Sequence, residues 1–423
     1  MDILAEAKQP AKTPHNGAAL PFGQDAAQVL GELQSAMLSL VQGASPVEVR
    51  RAADVERALG VDRKLCWQVY RIATASNPLA AGTNVPARVS VERLLKVAER
   101  RRVSPITIAG VSRAFERFER LVAQHADSRE EFDALIAAAL PDEHDKMSFA
   151  SREAIYHAAR NIRGVTMQTG LISQILYPSK HAPDMLDVAN MIGYLGLRRI
   201  RRGAPIECTA LVVGNANPAV QTVDGRPVTD TADIMLEEFC SVPTPTMAPH
   251  PGGEQMRFTL EGEDVGTQAA VDSVFARVMP AFRSRYATPE RATTGLAHAT
   301  DAPSRWQVID LLYFEGVLPA QDPEARVYDV IPHGVIRRYP DPTRDIDRVV
   351  FDPSVRYMGR GLESFRCSHA PRYMDMIQHI CSKRGWDASR LHGYRVEIEY
   401  PVYSWQTVLA LRLPNAPEQS ATG

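Results

Sequence analysis

The side chains best suited to chemistry lie in a short basic segment. Lys64, Gln68 and Arg71 recur at spacings of four and three residues, with Arg63 and Trp67 beside them. In a helix this spacing places all three on one face. Lysine and arginine neutralise phosphates, and arginine and glutamine also pair with base edges. The segment therefore predicts a surface that contacts the phosphates and bases of double-stranded DNA.

The elements that would position this surface can be predicted from the same segment. Leu65, Val69 and Ile72 recur at i, i+4 and i+7, which predicts a helix whose other face is buried. Asp62 precedes this helix and can cap its first amides. Gly60 favours a tight reversal, because glycine adopts positive φ at no steric cost. Upstream, Ser45-Pro46-Val47-Glu48 has the pattern of a helix start.

Residues 52–73 resemble the helix-turn-helix unit of bacterial transcriptional regulators. Gly60 matches the turn glycine of that unit, and its apolar positions are matched by Val55, Leu59, Val61, Cys66 and Val69. The resemblance implies that the second helix enters the major groove and that the protein binds as a homodimer. The predicted DNA contacts are Arg63, Lys64, Trp67, Gln68, Arg71, Arg100, Arg101 and Arg102. The alternative is an ordinary helical hairpin with a charged outer face.

The charge distribution favours DNA contact by this part of the chain. The whole chain has 48 Lys+Arg and 50 Asp+Glu, a net charge of −2. Within residues 50–102 there are 12 basic and 5 acidic side chains, whereas residues 204–423 have 21 basic and 28 acidic ones. A basic patch confined to the candidate motif suits phosphate neutralisation. The acidic second half is not expected to lie on nucleic acid.

Length and patterning predict a multidomain chain of α and α+β class. Apolar residues at helical spacing predict an all-α helix-turn-helix domain over 26–140 and a helical connecting block over 141–203. Short β-branched and aromatic runs predict an α+β domain with a largely antiparallel sheet over 204–414. Residues 1–25 and 415–423 are expected to be disordered tails. The predicted strands are 206–213, 256–260, 305–314, 326–331, 347–351, 393–400 and 403–413, with the last two forming a hairpin, and helices are predicted within 266–279 and 371–385.

No strong catalytic or cofactor signature is present in the sequence. A phosphate-binding loop, a nucleophile elbow and a zinc-protease helix are all missing. The four residues Cys367, His369, His379 and Cys381 have a metal-like spacing. His379 and Cys381 are two residues apart on a predicted helix, so they point about 200° apart around its axis. We therefore predict no metal, no cofactor and no catalytic residue.

A second polar region combines arginine with tyrosine. It contains Arg337, Arg338, Arg344, Arg356 and Arg360, close to Tyr339, Tyr357 and several aspartates. Such a region can bind an anionic or aromatic small molecule. A network of surface ion pairs is the interpretation that we favour.

Taken together, the sequence favours a DNA-binding transcriptional regulator of bacterial type whose C-terminal domain senses a small molecule or binds a protein partner. Five scattered cysteines and no signal-peptide or membrane-span pattern favour the cytoplasm and no membrane partner. Two alternatives stay open. One is an enzyme with catalysis in the C-terminal domain, and the other is a scaffold protein that oligomerises through its helices.

Overall fold

The computed structural model describes residues 22–44, 51–212, 220–228, 232–250, 255–289, 291–336 and 339–417. The chain divides into two units, Met1–Ser148 and Phe149–Gly423. The first unit is helical, and the second is built mainly from strands. This agrees with the predicted multidomain α and α+β class.

Unit 1 is organised around one long helix. Its helices are α1 (Phe22–Ala44), α2 (Ala52–Leu59), α3 (Arg63–Ala73), α4 (Pro78–Gly82), α5 (Arg88–Arg100), α6 (Pro105–His125) and α7 (Arg129–Ala138), and α8 (Pro141–Arg163) leads into unit 2. The side chains of Leu33, Met37 and Leu40 on α1 are fully buried. Helix α1 packs against α3, α4 and α6, so its apolar stripe forms the centre of the core.

Unit 2 contains three sheets. Its strands are β1 (Val165–Pro178), β2 (Met185–Arg199), β3 (Glu207–Val212), β4 (Met247–His250), β5 (Gln255–Leu260), β6 (Val271–Ser284), β7 (Thr293–Ala299), β8 (Ser304–Phe314), β9 (Glu324–Asp329), β10 (Val355–Arg360), β11 (Leu391–Glu399) and β12 (Trp405–Arg412). The six-stranded sheet has the order β10-β11-β8-β1-β2-β6, and only the β8–β1 pair is parallel. The smaller sheets are β7-β12-β9 and β3-β5-β4.

The six-stranded sheet is covered on both faces. Leu171 and Ile175 of β1 lie on one face, in a core with helix α9 (Tyr373–Arg384). Ile172 and Leu176 lie on the other face, in a core with the β7-β12-β9 sheet. Successive residues of a strand point to opposite faces, so β1 supplies both cores.

The predicted helical connecting block over 141–203 is wrong beyond residue 163. Helix α8 ends at Arg163 and is followed by Gly164, whose φ is +70°, and then by β1 and β2. Strand β1 lies between β8 and β2 and is buried on both faces. A strand buried on both faces has no alternating pattern, so its apolar run cannot be told from a buried helix by its sequence. The helix predicted within 266–279 is wrong for the same reason, because buried strand β6 fills most of it.

Two expectations at the C-terminus are also wrong. Residues 347–351 form no strand but only an isolated bridge between Arg348 and Tyr328. Strands β11 and β12 belong to different sheets, so they do not form a hairpin. Between them the backbone adopts positive φ at Tyr400 (+53°) and Ser404 (+72°), which redirects the chain. The other predicted strands and the helix over 371–385 agree with the structure to within a few residues.

The predicted N-terminal tail extends too far, because α1 already begins at Phe22. Residues 1–21 and 418–423, which make up most of the two predicted tails, lie outside the described residues, as does the helix start at Ser45. No helix within the described ranges is long and apolar enough to cross a membrane.

Candidate nucleic-acid interface

Helices α2 and α3 are joined by a three-residue turn with well-defined ends. Gly60 adopts φ +69°, and its N–H donates to the Glu56 carbonyl at 2.7 Å. This is a left-handed helix end that favours glycine. Asp62 then caps α3, because its Oδ1 accepts from the Leu65 N–H at 3.0 Å. The predicted roles of Gly60 and Asp62 are therefore confirmed.

The two faces of α3 are separated as the sequence predicted. Leu65, Val69 and Ile72 are buried, together with Cys66 and Ala73. Burial raises the pKa of the Cys66 thiol to about 11, with smaller contributions from Glu56 and Asp62. This cysteine is therefore a protonated core residue at neutral pH. The buried side of α3 holds the helix in unit 1 and leaves its other side available.

We call the outer side of α3 the basic face; it consists of Arg63, Lys64, Trp67, Gln68 and Arg71. Gln68 is half-buried, and the other four are exposed. Trp67 is 50% exposed, although an indole usually lies in a core. The Arg71 guanidinium lies 5.8 Å from the centre of the Trp67 ring, a cation–π contact. The basic face thus offers the cations of Arg63 and Lys64, the amide of Gln68, and the guanidinium of Arg71 in contact with the Trp67 ring.

The predicted backbone contacts at the end of α5 lie near the turn before α3. Arg100, Arg101 and Arg102 are exposed. A Cβ on Gly60 would lie 3.2 Å from Arg101 Nη2, so Arg101 reaches the α2–α3 turn. Arg93 of α5 also forms an ion pair with Asp62. The structure therefore brings the end of α5 to the N-terminal end of the basic face.

Ion pairing distinguishes the candidate cations from four other arginines of unit 1. Arg51 and Arg57 pair with Asp54, Arg88 pairs with Glu119, and Arg93 pairs with Asp62. Within the described part of the chain, no carboxylate forms an ion pair with any of the six candidate cations, which are Arg63, Lys64, Arg71, Arg100, Arg101 and Arg102. Their charges are therefore not neutralised by the protein and are available to an anionic partner.

Replacing Asp62 with Ala is expected to lower the free energy of unfolding by about 1 kcal/mol, because the α3 cap is lost. Asp62→Asn is the matched control, since asparagine caps a helix about as well but cannot pair with Arg93. Denaturant titration followed by circular dichroism measures both. Equal losses in the two variants would assign the effect to the ion pair and contradict the capping role.

The other residues singled out from the sequence have ordinary structural roles. His379 pairs with Glu238, and the buried Cys381 belongs to the core beneath α9. No group of three His, Cys, Asp or Glu side chains within the described ranges could hold a metal ion. In the arginine and tyrosine region, ion pairs join Arg344 to Asp347, Arg356 to Glu397 and Arg360 to Glu315. Arg337 and Arg338 lie outside the described residues.

One candidate binding feature is not among the residues predicted from the sequence. Unit 2 contains a cavity of about 1120 Å³, lined in part by Arg277 and Arg283 of β6. The available signal was the pair of arginines within the apolar run VFARVMPAFR. The predicted helix within 266–279 covers Arg277 and gives no reason for its burial, and Arg283 lies beyond it.

Comparison with known proteins does not identify the chain. No protein-family model matches it, and no curated protein matches it. It is similar to a solved M1 zinc metallopeptidase from Deinococcus radiodurans at 7% identity and a TM-score of 0.25, over 58% of this chain and 42% of that one. A candidate protease from Parabacteroides distasonis has 7% identity and a TM-score of 0.24, over 59% and 40%. The chain spans less than half of either structure, and TM-scores this low carry no argument about fold or function.

Proposed function

We propose that unit 1 binds double-stranded DNA through the basic face of α3 and that the protein is a transcriptional regulator. The observation that supports this most directly is the set of six exposed cations that form no ion pair with a carboxylate in the described part of the chain. Exposed arginines in proteins usually form surface pairs when acidic neighbours are available, as Arg51 and Arg88 do here. A cluster left without such pairs, on a firmly anchored helix, suits a polyanion.

The dimensions of α3 are compatible with this role. Its eleven residues make a rod about 16 Å long, and the major groove is about 12 Å wide. In this arrangement Lys64, Gln68 and Arg71 face base edges and phosphates. Arg63 and the three arginines at the end of α5 contact the backbone alone. Trp67 contacts sugars or thymine methyl groups and supports Arg71.

The proposal assigns unit 2 the sensing of a ligand or a protein partner. In this scheme the protein is a homodimer in the bacterial cytoplasm. Ligand binding to unit 2 shifts the population of dimers able to reach two half-sites. A DNA affinity that does not change with ligand would contradict this coupling while leaving DNA binding itself intact.

The test is binding of random duplex DNA by the full chain across a salt series. The variant carries Lys64→Ala, Gln68→Ala and Arg71→Ala. We expect about tenfold weaker binding near 100 mM salt. The slope of log K against log[salt] should become shallower by about two, because two phosphate contacts are lost.

A matched control removes the same groups elsewhere in unit 1. Arg113, Arg120 and Gln124 on α6 are exposed, so Arg113→Ala, Arg120→Ala and Gln124→Ala removes two cations and one amide. Binding by the control should equal that of the wild type. If both variants lose affinity equally, net charge alone is responsible and the basic face has no special role. Absence of wild-type binding would reject the proposal and favour the plain helical hairpin.

A further inference from the structure

The cavity in unit 2 lies between two sheets. Its lining includes Gln174 of β1, Asn190 of β2 and Arg277 of β6 from the six-stranded sheet. The smaller sheet contributes β7 and β12, including Leu296 and Val408. A volume of about 1120 Å³ is large enough for an organic molecule of substantial size.

A row of three polar side chains crosses the larger sheet at this cavity. In the strand register, Gln174 pairs with Asn190 and Asn190 pairs with Arg277. Residues paired in this way share one face of a sheet. The neighbouring row on the same face is apolar, because Ile172 pairs with Ile192. We call Gln174, Asn190 and Arg277 the polar row.

The polar row does not satisfy its own hydrogen-bonding groups. Gln174 Nε2 donates to Asn190 Oδ1 at 2.8 Å, but Gln174 Oε1 is buried without a partner. Arg277 Nε and Nη1 are likewise buried without partners. No hydrogen bond or ion pair joins Arg277 to another residue within the described ranges. A buried guanidinium in this condition is rare, since most buried polar groups are paired.

A second arginine places a positive charge at a fixed position in the cavity. Arg283 Nη1 donates to Gly295 O at 2.8 Å and to Thr294 Oγ1 at 3.1 Å, so the side chain is fixed against β7. Its Nε is buried without a partner. Burial lowers the pKa of Arg277 to about 10, and burial together with Arg291 lowers that of Arg283 to about 10. Both guanidinium groups therefore remain charged at neutral pH.

Few carboxylates offset these two positive charges among the described residues that line the cavity. Asp341 is the acidic residue in this set, and its Oδ1 accepts from the Thr343 N–H and hydroxyl. His298 also lines the cavity, and burial lowers its pKa despite the opposing charge of Asp301. The histidine is therefore neutral at pH 7. The fixed charge of the described lining is positive.

The rest of the lining is mixed, with a third arginine, two threonines and a tyrosine beside several apolar side chains. Ile172 and Ile192 flank the polar row on the larger sheet, and Leu296, Ile336 and Val408 line the cavity from other segments. A molecule that fits this surface has an anionic end and an apolar body. A strongly hydrated inorganic ion alone would leave the apolar lining unused.

We propose that this cavity binds a small organic oxyanion, a carboxylate or phosphate attached to an apolar body, with Arg277 as the anchor of the anionic group. The charges of the Arg277 and Arg283 guanidinium groups stabilise the anion, and the isoleucines contact its body. Charge-assisted hydrogen bonds of this kind are short and directional. The inference concerns unit 2 alone and stands whether or not unit 1 binds DNA.

The test uses anilinonaphthalene sulfonate, a fluorescent oxyanion with an apolar body, and its uncharged parent anilinonaphthalene. We expect saturable one-site binding of the sulfonate to the full chain. Arg277→Met should weaken it about tenfold or more, because one charged contact is lost. The parent should bind wild type and variant within about twofold, since it has no group for Arg277. Arg366→Met is the matched control, an exposed arginine of unit 2 paired only with exposed Glu363.

A second variant tests the same anchor without removing it. Asn190→Asp places a carboxylate beside Arg277 across the strand pair, and this internal anion should compete with the sulfonate and abolish its binding. Displacement of the sulfonate by benzoate assigns a carboxylate site, and displacement by phenyl phosphate assigns a phosphate site. The proposal is overturned if neither displaces it, if the sulfonate binds no more tightly than its parent, or if both variants bind like the wild type.

Discussion

Replacing Asp310 with Asn is expected to lower the free energy of unfolding by about 3–5 kcal/mol, the cost of leaving a buried charge without its partner. Asp310 and Arg395 are 0% and 1% exposed. They form a two-pronged pair, with Arg395 Nε at 2.8 Å from Oδ1 and Nη2 at 2.7 Å from Oδ2. Asparagine keeps the shape of the side chain but removes its charge and one acceptor.

The surroundings of this pair supply a second, more distant carboxylate, because Glu397 Oε1 lies 4.0 Å from Arg395 Nη1, and two backbone carbonyls. Arg395 Nη1 donates to Arg366 O at 2.6 Å and its Nη2 to Phe365 O at 3.0 Å. Burial acts to lower the pKa of Arg395, but the hydrogen bonds and charge of Asp310 outweigh burial and raise it. Removing the carboxylate leaves mainly the lowering by burial, but the ordinary pKa of an arginine is so high that the guanidinium stays charged at neutral pH.

Denaturant unfolding followed by tryptophan fluorescence measures this effect, since unit 2 contains Trp306, Trp386 and Trp405. Glu363→Gln is the control, because Glu363 and Arg366 form an exposed pair and such pairs contribute about 0–1 kcal/mol. The double variant Asp310→Asn with Arg395→Met should recover part of the loss, because it removes the unpaired charge. A loss below about 1 kcal/mol in the single variant would contradict the argument.

The helical unit shows how far the sequence can be used for prediction. The face of α3 could be predicted because its pattern is local, with Leu65 and Val69 one turn apart and Asp62 at the cap. The positions of Arg100–Arg102 beside the turn could not be predicted in the same way. They depend on how α5 packs against α2, and the evidence for it is the reach of Arg101 to Gly60.

The strands of unit 2 are harder to predict from the sequence than the helices of unit 1, and the cavity could not be predicted at all. Strands β1, β2 and β6 are buried on both faces, so the alternation that identifies a strand is missing. The polar row joins residues 174, 190 and 277, which meet only through the strand register. No local pattern connects residues so far apart in the chain. In the arginine and tyrosine region the sequence favours a network of surface ion pairs, and Arg344, Arg356 and Arg360 do form such pairs.

The two faces of the six-stranded sheet allow a direct comparison between a buried arginine with a partner and one without. On the α9 face, Ser173 pairs with Asp310 and Asp310 pairs with Arg395 in the strand register. The Ser173 hydroxyl lies 2.8 Å from the Tyr373 hydroxyl, and Asp310 holds Arg395. This row is satisfied within the protein. The polar row on the other face contains Arg277 without any such carboxylate.

Replacing Arg277 with Met is therefore expected to have the opposite sign and to raise the free energy of unfolding by about 1–3 kcal/mol, the usual cost of burying an unsatisfied polar group. Methionine fills a similar volume with an unbranched apolar chain. Denaturant unfolding of the full chain measures the gain, and Arg366→Met should stay within about 0.5 kcal/mol of the wild type. A lower stability of Arg277→Met would mean that the guanidinium is already satisfied in the protein and would contradict its role as an anchor.

Arg277→Met is expected to weaken binding of the sulfonate and to raise the free energy of unfolding. Together these two effects distinguish a binding residue from a structural one. A residue that satisfies a buried group of the protein lowers stability when it is replaced, as we expect for Asp310. A residue kept for a ligand can be replaced with a gain in stability and a loss of binding. Saturating anilinonaphthalene sulfonate should stabilise the wild type by RT ln(1 + [L]/Kd) and leave the variant almost unchanged. Equal stabilisation of both proteins would place the bound oxyanion somewhere other than beside Arg277.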